Sequence, residues 1–511
     1  MLFVLVIVYV FNFIDRNILS ILAEDIKRDL GVTDAEMGFL YGTVFAVFYA
    51  VFGIPLARFA DAWVRRSLIA AGLLFWSLMT ALSGLARSFP MLTGFRIGVG
   101  IGEASASPAA YSMLSDYYSP RLRATVLAIY SGGVYVGGGV GLFLGGWILG
   151  AWGDLYPQPS EAPFGLRGWH VAFLAVGLPG IAMAAWVRTL REPRRGISEG
   201  IVAEEHPAPF GVLATELAAM LPVFNLVGLR RVGASLRANA AAAAAIAVIA
   251  GILIAATGSV AQWVALGLGA YVTVSWGQSL AKRDPATFAM IFRSKAMVYT
   301  MLAFPTIAFF TYGAGFWTAP LLLRLHDTSP GEVGLYIGLG SALGGLLGVT
   351  LGGYCADRLK RRLPNGRLLI GYFAVFGTVP LVLWMIYTDN LMLAFALNFL
   401  YHIPSASWPG IPPSTATDLV MPRMRAVAGA YYILVNTFIG LAIGPYTMGK
   451  LSDLYTAQGM DSAASLQLAI TSSLLIFVAS LVFLTLAWRH LPGDEKSRIE
   501  RARSLGEVVN E

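Results

Sequence analysis

Four charged residues stand inside apolar runs, where charge is expensive: Asp15 and Arg16 in the first run, Arg96 and Glu103 in the fourth. A charge at the centre of a bilayer costs about 3 kcal/mol on insertion scales, and such residues usually line the path of a polar cargo or a proton. Arg96 and Glu103 are two helical turns apart and so share one face of a helix. Gly98, Gly100 and Gly102 between them leave that stretch open to close contact. Two acids beside two bases have a definite chemistry. A carboxylate paired with a guanidinium occupies its donors, and protonating the carboxylate releases the guanidinium for a bidentate anion. A proton and an anion would then favour each other's binding and move in the same direction. The competing reading is a neutral buried network that only stiffens the bundle. On this scheme Asp15 and Glu103 are the proton-coupling candidates, and Arg16 and Arg96 the head-group ligands.

Elements that could hold charges in oil are written in the composition. The 511 residues are 57% hydrophobic and 13% charged, with mean hydropathy +0.68. Soluble domains carry about 25% charged residues, so a soluble fold is excluded. Apolar runs fall at about 1–23, 37–57, 67–86, 90–115, 124–149 and 169–190, and again at about 296–323, 331–355, 367–388, 390–415, 426–449 and 463–488. Each approaches the roughly 20 residues that a spanning helix needs. The first run holds Asn12, Asp15 and Arg16, which a signal peptide would lack. The chain is therefore expected to begin inside or just before its first spanning helix, any native tail having been trimmed.

The runs divide into two matching sets. Asp116-Tyr-Tyr-Ser-Pro-Arg-Leu-Arg123 and Asp418-Leu-Val-Met-Pro-Arg-Met-Arg425 share the frame D-x-x-x-P-R-x-R, and Ala-Asp61-x-x-x-Arg-Arg66 is echoed by Ala-Asp357-Arg-x-x-Arg-Arg362. Duplication at such a period predicts two homologous six-helix bundles related by a pseudo-two-fold, at 1–190 and 296–490, with a tail at 491–511. The repeat also supplies an internal control. Thr311 and Tyr312 fall opposite Asp15 and Arg16, and Asn398 and Ser405 opposite Arg96 and Glu103. A requirement of the fold would appear in both halves, yet these charges appear in one.

Between the halves, 191–295 forms a central linker, and 238–281 within it is almost wholly apolar between basic flanks. The flanks predict an even number of crossings, hence an extra two-helix hairpin turning near Thr257-Gly-Ser259 and fourteen spans in all. One long buried helix is the alternative. Lysine and arginine collect in one set of loops and in the tail, while the first opposite loop, Glu24 to Glu36, is acidic. The positive-inside rule then places both termini in the cytoplasm, of an inner membrane. The net charge of +7 reports topology rather than nucleic-acid binding. Cys355 is the only cysteine, so no disulfide scaffold or thiol metal site is expected.

The Asp61 and Asp357 passages resemble the signature loop of the major facilitator superfamily, G-x-x-x-D-R-x-x-R-R. Gly353-Tyr-Cys-Ala-Asp357-Arg-Leu-Lys-Arg-Arg362 is nearly complete, whereas the first copy has Ala57 and Ala62 at two consensus positions. Gly141 to Gly146 and Gly440-x-x-x-Gly444-Pro445 are similar to that superfamily's glycine-rich fifth and eleventh helices. Within it, Asn12-Phe-Ile-Asp15-Arg16, Phe75-Trp76-Ser77 and Arg96-x-x-x-Gly-x-Gly-Glu103-Ala-Ser look like the spinster family. The resemblance implies an all-α polytopic membrane protein of major facilitator fold, similar in outline to lysolipid and sphingosine-phosphate carriers. It also implies that Asp61, Arg65, Arg123, Asp357 and Arg425 form a cytoplasmic gate, latched when the protein faces outward; a plainly topogenic role is the rival view.

Opposite the charged wall the second half offers aromatics, and Tyr312, Phe316, Trp317, Tyr401 and His402 are expected to line a cavity suited to an amphipathic molecule. Ordinary core or lipid packing is the rival for each. The function expected is proton-coupled secondary transport of a lipid-like substrate by alternating access, with the bilayer as partner, the proton as coupling ion, no other cofactor, no metal and a monomeric state. A drug or organic-anion exporter of the same fold is the alternative. A channel or receptor would be separated by saturable, stoichiometric flux. No nucleotide-binding loop, H-E-x-x-H or G-x-S-x-G motif is present, so no enzymatic activity and no catalytic residue is expected.

Overall fold

The computed structural model describes residues 1–119, 121–195, 197–199 and 207–507. Pro120 of the first repeated motif, part of the linker and the last four residues of the tail fall outside them. Among the described residues the first half holds α1 (Leu2–Leu30), α2 (Asp34–Ala62), α3 (Arg65–Ser83), α4 (Phe89–Glu103), α5 (Ala106–Tyr117), α6 (Arg123–Leu155) and α7 (Gly168–Arg188). The linker carries α8 (Pro209–Met220), α9 (Asn225–Arg231), α10 (Leu236–Thr257), α11 (Val260–Arg283) and α12 (Pro285–Phe292). The second half holds α13 (Lys295–Leu325), α14 (Pro330–Arg362), α15 (Leu369–Tyr387), α16 (Leu391–Ser405), α17 (Ile411–Leu419), α18 (Pro422–Ala457) and α19 (Ser462–Lys496), before α20 (Arg498–Ser504) of the tail.

Local chemistry ends these helices, which outrun the apolar runs: α1 reaches Leu30 and α19 reaches Lys496. Gly31 closes α1 at φ 66°, a conformation that suits a residue without a side chain. Thr33 and Glu36 form a capping box at the start of α2, and Ser88, Asn390 and Asp461 cap α4, α16 and α19. Among the described residues eleven helices are long and apolar enough to cross a membrane, or twelve if the bent pair α8 and α9 is one span, fewer than the fourteen spans expected. The fourth and tenth segments are each broken in two, and α11, though 24 residues long, is diluted by Gln262, Thr273, Ser275 and Gln278.

Those breaks come at matching places. α4 ends at Glu103 and α16 ends at Ser405, the pair that the repeat aligns. Pro404, Pro409, Pro412 and Pro413 account for the second break. The break belongs to the fold, and the charge at it belongs to one half.

The two halves meet along two seams that the pseudo-two-fold exchanges, α2 against α18 and α6 against α14. Both depend on glycine. A Cβ on Gly139 would stand 2.4 Å from the Gly338 carbonyl, and one on Gly146 would stand 2.1 Å from that of Pro330. On the other seam Gly38 and Gly42 lie against the carbonyls of Pro445 and Leu441. Backbones touch where small residues permit it, as helix association in lipid favours. A π-helical turn interrupts each helix of the second seam, Phe39–Val44 in α2 and Thr437–Ile443 in α18, and the two turns face one another. Insertions of this kind are frequent at functional sites.

At the far end of the insert, Asp284 caps α12 and accepts hydrogen bonds from Arg423, which also pairs with Glu507 of the tail. Arg423 holds the Asp284 carboxyl down to about 2 and lowers that of Glu507. A depressed folded-state pKa means that this clasp stabilises fully above the ordinary carboxyl range, near pH 4, and is lost as pH falls toward 2. Protection of the residue 498–507 amides against hydrogen exchange, relative to the intrinsic rate at each pH, should therefore be high at pH 5 and fall below pH 3, a change that Asp284→Asn would shift to higher pH.

Candidate functional site

The four intramembrane charges converge, but not as one network. Arg16 of α1 donates to Glu103 at 2.8 Å, with Glu103 fully buried. The Arg16 guanidinium lies 4.0 Å from the centre of the Phe45 ring and 4.6 Å from that of Phe13, contacts that favour a planar cation. Behind it, Arg96 donates to the backbone carbonyl of Asp15 at 3.1 Å. Both oxygens of the Asp15 carboxylate are buried without a hydrogen-bond partner, as are two nitrogens of Arg96 and one oxygen of Glu103. The glycines of α4 do what their spacing suggested: Gly100 lies against the Phe45 carbonyl, and Gly102 against Trp76.

Only Arg16 of the four reaches open space. A cavity of about 210 Å³ lies between the halves, with Tyr9, Asn12, Phe13, Arg16, Phe45 and Tyr49 on one side and Tyr312, Ile433, Asn436, Thr437 and Leu441 on the other. One wall is a cation set in aromatic rings; the other is a phenol, an amide and a hydroxyl among aliphatic side chains. The space can accept an anionic or hydrogen-bonding group with apolar surface beside it. Glu103 gates the cation chemically, because any anion that takes up the Arg16 donors competes with it.

Of the five side chains expected to line a cavity, the structure brings Tyr312 to this one. Phe316 and Trp317 lie beyond it, in the seal between the halves. Ser20 donates to the Phe316 carbonyl at 2.5 Å, Tyr41 stacks on the Phe316 ring, and the Trp317 indole donates to the Pro445 carbonyl at 2.8 Å. Tyr401 is wholly buried, and His402 is bound to the Asn398 carbonyl at 2.8 Å with its Cβ close to Gly344. Gly340, Gly344 and Gly348 of α14 bring the backbone of α16 close.

The tightest ionic cluster between the halves was not foreseen. Arg324 at the end of α13 donates to Glu24 of α1 at 2.6 Å and grips Asp34 at the start of α2 with two nitrogens, at 2.7 and 2.9 Å. Lys27 and Ser452 also reach Asp34. Asp453 of α18 accepts from the backbone N–H groups of Asp34 and Ala35, capping the first turn of α2 across the seam. Four helices are thus tied at the acidic end of the bundle. The available signal was a lone arginine among acidic loops.

The residues expected to form a gate lie at the opposite, arginine-rich end, and the partners found for them lie in their own half or in the linker. Arg65 is fully buried, pairs with Asp116 and Glu192, and donates to Ser112 and the Pro193 carbonyl. Arg367 repeats the arrangement by donating to Asp418 at 2.7 Å and Asp357 at 3.2 Å. Arg123 bonds to the Ser115 carbonyl and to Ser198. Arg425 is exposed, and Asp61 sits near Arg195, Arg58 and Arg65. Among the described residues, the ion pairs that join the halves lie at the acidic end, and the Ser20–Phe316 and Thr43–Ala442 hydrogen bonds join them further along the seam.

Residues 5–445 match the sequence model of the Major Facilitator Superfamily. The chain is 26% identical, over 98% of its length and 94% of the relative's, to an "MFS-type efflux pump" of Mycolicibacterium smegmatis. It is 24% identical to human "Protein spinster homolog 1", over 94% of this chain and 78% of that one. It is 23% identical to "Protein spinster" of Drosophila melanogaster, where it covers 88% of itself and 61% of the longer fly protein. A solved bacterial homologue of the human lysosomal transporter Spinster, described as inward-facing and occupied, superposes with a TM-score of 0.68 at 25% identity over 98% of this chain and 97% of the other.

Proposed function

The chain belongs to the major facilitator superfamily as a spinster-like transporter, and from that premise we propose that it moves an amphipathic, lipid-like substrate by proton-coupled alternating access. The observation that carries this reading is the Arg16–Glu103 pair, one member on the central cavity and the other sealed behind it. An anionic head group takes the Arg16 donors while a proton neutralises Glu103, so each ligand raises the affinity for the other. Arg96 holds the backbone of α1 at Asp15 and supplies a second cation, and the Asp15 carboxylate is a second proton acceptor. Tyr312, Asn436 and Thr437 face the polar part of the substrate, and the flanking rings its apolar part.

In this reading the arginine-rich end is cytoplasmic, both termini with it, in an inner membrane. The chain works as a monomer of two bundles, 1–190 and 296–490, and α10 and α11 both cross as an inserted hairpin. The ties at the acidic end support an inward-facing state. In the outward-facing state Asp61, Arg65, Arg123, Asp357 and Arg425 regroup as the cytoplasmic latch. The mycobacterial relative named as an efflux pump favours a second reading, export of a drug or small organic anion through the same site.

Purified protein in liposomes, offered lysolipids and soluble organic anions with and without a pH step, separates the two. Lysolipid uptake that the pH step accelerates is the expected result. Movement of soluble anions alone would transfer the assignment to the exporter, and flux indifferent to pH would remove the proton from the mechanism.

A further inference from the structure

The inserted hairpin lies across the seam where α2 and α18 meet, and it is attached to both. The Thr43 hydroxyl, in the π turn of α2, is 2.6 Å from the Gln262 amide oxygen of α11 and 2.7 Å from the Ala442 carbonyl in the π turn of α18. A hydroxyl has one hydrogen and cannot donate to both acceptors. Turning the Gln262 amide over lets its –NH₂ donate to Thr43 while Thr43 donates to Ala442. That assignment also gives the buried Gln262 nitrogen, otherwise without a partner, its acceptor. One hydrogen-bonded chain then runs from the insert through the first half to the second.

Packing continues the attachment. Trp263 meets Tyr446 edge-to-face at 5.7 Å, and the Phe438 ring packs against Gly269, where a Cβ would come to 2.5 Å from it. Toward the arginine-rich end, Ala50 and Val51 of α2, Leu434 of α18, and Val272 and Trp276 of the insert surround one small space. The residual space there is about 10 Å³, at the limit of what one water needs. Trp276 also stacks on Tyr431 of α18 at 6.0 Å.

We propose that the insert is a wedge and strap: α11 holds the two π turns together near the acidic end and fills the seam at the arginine-rich end, favouring the state in which the acidic end is shut. Closing the arginine-rich end would require Trp276 and Val272 to leave the gap. This rests on the alternating-access reading, but its readout needs no substrate.

The test uses the full chain with Cys355→Ser, spin labels at Gln158→Cys and Asp389→Cys, and pulsed dipolar distance measurement. Both labelled positions are exposed loops at the acidic end, one in each half. Gln262→Leu should raise the long-distance population roughly five-fold, as expected for loss of one buried hydrogen bond. Trp276→Ala, which leaves the Thr43 chain intact, should shift it the same way, and Trp276→Phe should restore it. Unchanged distributions in folded Gln262→Leu and Trp276→Ala proteins would overturn the proposal. If Gln262→Leu does not fold, Trp276→Ala decides alone. A shifted distribution together with a failed flux panel would leave the wedge standing and remove the substrate assignment.

Discussion

Arg16→Ala should abolish substrate uptake, by ~100-fold or more, while the protein still folds. Removing one member of a buried ion pair costs about 3–5 kcal/mol because the other is left charged and unpaired. Here Glu103 can escape that cost by binding a proton, so the loss falls on transport more than on stability. Arg16→Lys should not restore uptake, since an ammonium cannot reproduce the planar contacts with Phe45 and Phe13. Glu103→Gln separates the roles. It mimics the protonated state, and so should keep ligand binding, measured by calorimetry with a lysolipid, while flux in proteoliposomes no longer responds to a pH step. Retained pH dependence in Glu103→Gln would move the coupling proton to another carboxylate, with Asp15 next in line.

The second large effect is expected at the acidic end. Arg324→Met removes the side chain that both Glu24 and Asp34 use and leaves Asp34 with Lys27 and Ser452. Because Arg324 is almost wholly shielded, with 6% of its side chain exposed, the loss should approach that for a buried pair, at least ~3 kcal/mol. The balance between closed and open acidic ends should then shift by ~100-fold. A cysteine introduced at Ser20, which lies just below the cluster, would report the change as faster labelling by a membrane-impermeant thiol reagent. Labelling as slow as in the parent would show that the apolar seal of Phe316 and Trp317 is sufficient by itself.

The fold was legible in the sequence because two signals with different origins agreed. Apolar runs of spanning length gave the helices, and the repeated D-x-x-x-P-R-x-R frame gave the two halves. What escaped were features of backbone register. Nothing in Phe39–Val44 or Thr437–Ile443 distinguishes a π turn from an ordinary one, since both consist of apolar and small residues that either geometry accepts. The break after Glu103 was hidden for a similar reason: prolines announced its counterpart after Ser405, whereas Ser105 and Pro108 looked unremarkable.

For the site, the intramembrane charges pointed to a pair, and Arg16 and Glu103 do meet. The aromatic residues were harder to place from spacing. Tyr312 and Phe316 are one helical turn apart, yet the first faces the cavity and the second the seal, because spacing fixes a shared face but not how far along it the opening extends. The Arg324 cluster was missed for a different cause. Acidic residues from 24 to 36 were read for their sum, as a marker of sidedness, when the information lay in which of them had a cation opposite.

The glycine contacts between α6 and α14 have one more consequence. Interlocked side chains behave as gear teeth, and turning one helix against another forces each tooth to disengage. Gly139 against Gly338 and Gly146 against Pro330 present no teeth. Two smooth rods can roll while they stay in contact, so on the alternating-access reading proposed above this line is the axle. A methyl group at position 139 would act as grit in the bearing.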